Sequence, residues 1–148
     1  MDPVAIYQAH LDRVSQAIWD GDFRCAADAM LYPHVMKTRD AAREVHTPEE
    51  LMAIAENFCA HLRGFGATAY HRVADRAAFV GDGQDRIDGV HHVYVLNGGS
   101  YVVDPYMGEM TLIRRGDVWL GGGIRADIRN SHMKMLSSGD HPLHVRAT

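Results

Sequence analysis

Apolar residues recur at Tyr7, Leu11, Val14 and Ile18, spacings of three and four that lay one stripe along a helix. Asp2-Pro3 opens that helix well, with an acceptor at the N-cap and a proline where the missing N–H does no harm. Gly21 ends it. Asp22 then caps a short second helix reaching Met30, with Phe23, Ala26, Ala27 and Met30 as its apolar face. Pro33 forbids further helix, so residues 34–38 read as a short strand and 39–46 as a polar turn with some extended structure. Thr47-Pro48-Glu49-Glu50 is a capping box that starts a third helix. Leu51, Ile54, Ala55, Phe58 and Leu62 form its buried stripe, and Gly64 stops it.

Beyond the glycines at 64 and 66 the period falls to two. Residues 68–80 alternate as a strand, with His71, Val73, Asp75, Ala77 and Phe79 on one side. Residues 90–96 and 100–104 flank Asn97-Gly98-Gly99, a hairpin signal. A two-residue turn at Asn97-Gly98 sets Tyr94 opposite Tyr101, His92 opposite Val103 and His91 opposite Asp104. One face then carries Val90, His92, Tyr94, Tyr101 and Val103; the other carries His91, Val93, Val95, Val102 and Asp104. Both are largely apolar, so both are expected to be covered. A one-residue change of turn length would set His92 opposite Asp104 instead. Strands follow at residues 110–114 and 118–128, joined by Gly116-Asp117, and Gly121-Gly122-Gly123 predicts a bulge or a close approach. Residues 130–148 are polar and aperiodic, and read as a loosely held tail behind a single domain over residues 1–129. Three helices, with one strand inserted after the second, precede a run of antiparallel strands: an α+β layer architecture.

At 148 residues the chain fits one domain with a substantial core. A net charge of −4 argues against nucleic acid as a partner, and no apolar run is long enough for a membrane helix. The N-terminus has no basic and apolar secretory pattern, and Cys25 and Cys59 sit in helical patterns as free thiols. A reduced, cytoplasmic protein is expected. Ten histidines invite a metal site, yet the adjacent His91 and His92 point to opposite faces of a strand. His71, His132, His141 and His144 are scattered, and no HxxxH, HExxH or CxxC spacing occurs, so neither metal nor other cofactor is expected.

The order of elements, with Gly21-Asp22 after the first helix, the capped third helix, and Val102-Val103-Asp104-Pro105-Tyr106 in the hairpin, resembles the nuclear transport factor 2-like superfamily. Within it, the SnoaL-like proteins look closest. The resemblance implies a cone-shaped α+β barrel: a strongly curved antiparallel sheet wrapped around the long helix, with a small apolar molecule at the mouth and a homodimer across the outer sheet face. It covers isomerases, cyclases, dehydratases, hydrolases and non-catalytic domains, so fold alone leaves function open. Ser15, Thr38 and Met107 stand where the ketosteroid isomerases carry their oxyanion donor, general base and buried acid. That excludes typical isomerase chemistry.

The same comparison turns Val90, His92, Tyr94, Tyr101, Val103 and Met107 into the cone. The resemblance thus implies His92 as proton carrier, with Tyr94 as a second catalytic group. Tyr101, Val103, Met107, Thr38 and Ser15 would contact an apolar or aromatic carbonyl ligand. His91 falls on the outer face, where Asp104 would hold its proton to higher pH. Val93, Val95 and Val102 on that face imply a homodimer, since soluble monomers rarely expose such a patch. Tyr32 and His34 stand either at the cavity mouth or on the surface. The rival reading is a non-catalytic homodimeric binding or accessory domain whose side chains fill the cone. Cavity volume separates the two, because a drug-sized ligand needs about 300 Å3 or more.

Overall fold

The computed structural model describes residues 1–133, 135 and 136. Helix α1 (Pro3–Asp20) begins where predicted: Asp2 accepts the Val4 N–H at 3.0 Å, and Gly21 closes the helix at a φ of 80° that favours glycine. Tyr7, Leu11 and Val14 are buried, and His10 and Ser15 are buried beside them. Asp22 caps α2 (Phe23–Asp28). Strand β1 (Met30–Lys37) starts earlier than its sequence signal and passes through Pro33, whose bond to Tyr32 is cis. Strand β2 (Ala42–Val45) pairs antiparallel with it. Helix α3 (Pro48–Gly64) has the expected cap, the Glu50 N–H donating to Thr47 Oγ1 at 3.2 Å. The Glu50 carboxylate accepts the His46 N–H at 3.0 Å.

Strands β3 (Ala69–Phe79), β4 (Arg86–Asn97), β5 (Ser100–Tyr101), β6 (Tyr106–Arg115) and β7 (Val118–Ala126) complete a seven-stranded sheet ordered β2-β1-β7-β6-β4-β3, with β5 beside β4. The three helices pack on this sheet in an α+β architecture. Two details differ from expectation. The sheet is mixed, because β1 and β7 run parallel, and it ends at β2 and β3 without closing into a barrel. No tight turn joins β1 to β7, so connectivity does not force them antiparallel.

The hairpin turn falls on Gly98-Gly99, giving Leu96 opposite Tyr101. The strand ends at Tyr101, residues 102–105 lie outside it, and β6 takes over the same edge of β4 with Val93 opposite Tyr106 and His92 opposite Met107. His91 lies opposite Gly108, not Asp104. The helix-covered face carries Ile87, Gly89, His91, Val93 and Val95, all buried. His92 and Tyr94 stand on the other face, half-buried, so the expected inside and outside of this hairpin are exchanged. The cause is steric. The Tyr7 ring packs against Gly89 and the His91 ring against Gly108; a Cβ at either glycine would collide with that ring. Apolar residues occupy both faces, so alternation alone does not choose between them; two glycine-made hollows do.

Local irregularities move other side chains. A bulge between Ala74 and Arg76 swaps faces along β3, so His71 and Val73 are exposed while Ala77 and Phe79 pack inward. The predicted bulge at Gly121–Gly123 is present: Thr111 pairs with Gly123 and Leu112 with Gly121. The first part of the expected loose tail is held. Asn130 Oδ1 accepts the N–H groups of Met135 and Leu136, each at 2.9 Å, and Met133 and Leu136 are buried in the core. Residues 137–148, with His141 and His144, lie outside the described residues.

Candidate functional site

The helices and the inner sheet face enclose a cavity of about 60 Å3. Val14, Ile18, Leu51, Ile54 and Phe58 wall it from the helices, and Tyr70, Arg72, Met110 and Ile124 from the sheet. Met30, Met36 and His34 line it from β1, and Met135 completes it from the segment after β7. Four of its walls are therefore methionines, flexible and polarisable side chains that fill irregular gaps and yield to a guest.

Of the buried polar groups, His34 and Arg72 line this cavity. His34 Nδ1 lies 3.2 Å from the Gly121 carbonyl oxygen. A Cβ at Gly121 would meet Met30 Sδ at 2.6 Å, His10 Nε2 at 3.4 Å and His34 Cε1 at 3.6 Å. A side chain there would therefore displace Met30. Burial pushes His34 down to about 4, and burial with the charges of Arg72, Arg13 and His34 pushes His10 down to about 3. Both rings are neutral at pH 7. Tyr7 Oη and His91 Nδ1 share a hydrogen bond of 2.6 Å that ties α1 to β4. Burial, then the charges of Arg72 and His92, push His91 down to about 3, the reverse of the rise expected beside Asp104. Neither His10 Nε2 nor His91 Nε2 has a hydrogen-bond partner among the described residues.

Ser15, the first residue of the isomerase comparison, is inside: it accepts the Arg72 Nε–H at 2.7 Å. Thr38 is buried but occupied with its own turn, where its Oγ1 accepts the Ala41 N–H at 3.1 Å and donates to Asp40 at 3.2 Å. His92, Tyr101, Val103 and Met107 do come together, in an open groove of about 640 Å3 outside the helix-covered core, with Asp104, Asp127 and His132. Tyr94 does not line it. Tyr101 is 59% exposed there, so these residues do not form the interior cavity. Val93 and Val95 pack under the helices, and half-buried Val102 packs against the same cluster, which removes the expected outer valine patch. His34 takes the cavity alternative of the two open to it, whereas the Tyr32 hydroxyl donates to the Ala27 carbonyl at 2.7 Å. Among the described residues, no three His, Cys, Asp or Glu side chains converge as a metal site would need.

Sequence reasoning missed Arg72, His10 and His91 as interior residues. A signal existed for His10, which falls on the stripe of Tyr7, Val14 and Ser15. None existed for Arg72, since alternation favours the opposite side of β3.

No family model and no curated protein matches this chain. Solved structures do. A nuclear transport factor 2-like protein of unknown function from Shewanella oneidensis is 8% identical with a TM-score of 0.64, over 83% of this chain and 97% of that one. A domain of unknown function with a cystatin-like fold from Nostoc punctiforme is 12% identical, with a TM-score of 0.66 over 84% of this chain and 76% of that one. Aln2 from a Streptomyces species is 16% identical, with a TM-score of 0.65 over 97% of this chain and 94% of that one. At such identities the likeness is one of fold: this chain has a nuclear transport factor 2-like fold.

Proposed function

We propose that this protein binds a small, largely apolar molecule in its interior cavity, in the manner of the SnoaL-like proteins it resembles. The observation that carries the reading is the cavity wall itself: Met30, Met36, Met110 and Met135 around the buried His34. A cavity of about 60 Å3 accommodates a guest of a few heavy atoms, and methionine rotamers enlarge it at little strain. Neutral His34 is available to accept a proton or a ligand hydroxyl, so acid–base chemistry without metal or cofactor is centred on His34 rather than on His92 and Tyr94.

Two further parts of the proposal concern setting. No helix among the described residues is long and apolar enough to cross a membrane, which accords with a cytoplasmic protein. A homodimer is supported by the outer sheet face, where Val35, Val90 and Ile113 line a broad groove of about 820 Å3 edged by Lys37, Arg76, Asp88 and Arg125. An apolar centre inside a charged rim is the usual anatomy of an interface.

The second reading is the accessory domain, favoured by the same volume: about 60 Å3 is far below a drug-sized pocket. The outer grooves are larger but open to solvent, so their volume carries less weight. Thermal-shift and native mass spectrometry with a panel of small aromatic and aliphatic compounds separate the readings. Binding at one per chain, with a melting rise of roughly 5 °C or more at saturating ligand, supports the cavity reading. Failure of every compound to bind leaves the accessory domain.

A further inference from the structure

Arg72 is an interior cation without a counter-ion among the described residues. It projects from the inner face of β3 and is 6% exposed, although its neighbours His71 and Val73 on the strand face solvent. Its Nε–H donates to Ser15 Oγ at 2.7 Å, and Nη2 reaches the Leu11 carbonyl oxygen at 3.4 Å. The guanidinium sits 6.0 Å from the Tyr70 ring centroid. Among the described residues, no Asp or Glu oxygen comes within 4.0 Å of it; the ion pairs of the other arginines lie at the surface or in part-exposed positions.

The guanidinium charge acts on Tyr7, His10, His91 and Tyr106. His10, His34 and His91 are neutral. Arg72 is thus the one formal charge among the described residues that line the cavity. A buried cation is kept at a high desolvation penalty, and a planar fork with free N–H groups is complementary to a carboxylate.

We infer that the molecule bound in the cavity is a small carboxylic acid, its carboxylate held by Arg72 and its short aliphatic or aromatic body among Phe58, Met36 and Met110. The inference rests on the cavity reading above and adds the charge of the ligand. Ser15 engages Nε and the Leu11 carbonyl Nη2, while the Arg72 side chain itself lines the cavity. Arg72 also lines a groove between α1 and β3 with Gln8, Asp12 and Tyr70, so it connects the cavity to the surface. Asp12 in that groove accepts from Gln8 Nε2 at 2.8 Å and makes no ion pair with the guanidinium. A single positive charge, with no second cation among the described residues that line the cavity, matches a monoanion better than a phosphate.

The test compares butyrate and benzoate with butanol and benzyl alcohol by calorimetric or NMR titration of the full chain at pH 7. The acids are expected to bind at least tenfold tighter than the alcohols, with the preference weakening in high salt. Arg72→Met should abolish the preference while retaining alcohol binding. Should that variant fail to fold, the Arg72 side-chain NMR signal of the wild-type chain, followed during benzoate titration, gives the answer by shifting or staying fixed. Alcohols binding as tightly as acids would overturn the inference and leave the cavity reading standing. Binding of neither class would overturn both.

Discussion

Acid is the perturbation that best tests this interior, because three imidazoles are buried neutral. His10 and His91 are held down at about 3 and His34 at about 4, whereas in the unfolded chain each would titrate at about 6.5. The unfolded state therefore binds more protons than the folded state over the window between these values. Stability is fully present above the unfolded value and is lost as pH falls through the window. At pH 5 each ring favours the unfolded chain by about 2 kcal/mol, and the three together by about 6 kcal/mol. That equals the whole stability of a modest domain, about 5–15 kcal/mol.

The exposed carboxylates do not confuse this window. Hydrogen bonds from Asn130 to Asp40 and from Arg39 to Asp127 hold those groups low, so their loss falls below the carboxylate range. Urea melts followed by circular dichroism at pH 7, 6 and 5 should show stability falling by about 4 kcal/mol per pH unit below 6, an uptake of roughly three protons. In His34→Gln the uptake should drop by about one proton. A wild-type stability that stays flat between pH 7 and 5 would refute the buried, neutral assignment of these rings.

Two further outcomes follow from the packing. Thr47→Ala removes the acceptor of the Glu50 N–H and should lower stability by about 0.5–2 kcal/mol, read as a shifted denaturation midpoint with unchanged slope. Leu136→Ala empties a fully buried position in the segment after β7 and should cost about 2–5 kcal/mol; a change within error would mean that this segment is not part of the core.

Much of the fold is legible in the chain because its signals are local. Asp2-Pro3, Asp22 and Thr47-Pro48 start helices through side-chain and backbone chemistry that needs no distant partner. The stripe of Leu51, Ile54, Phe58 and Leu62 is equally local, as is the bulge at the three glycines. Element order was enough to indicate the nuclear transport factor 2-like architecture.

Which residues face the interior was decided elsewhere. On β4 both faces are apolar, so the alternation of His91, His92, Val93 and Tyr94 is symmetric with respect to burial. Its orientation depends on Tyr7 from α1 settling over Gly89 and on His91 settling over Gly108, contacts across 82 and 17 residues of chain. The bulge in β3 likewise turns on pairing with β4. Arg72 reads as a surface residue on its own strand; only the approach of Ser15 and Leu11 encloses it. Sequence fixes periodicity through short-range sterics and hydrogen bonding, but the choice between two apolar faces is made by complementary shape, which exists only once the helices have met the sheet.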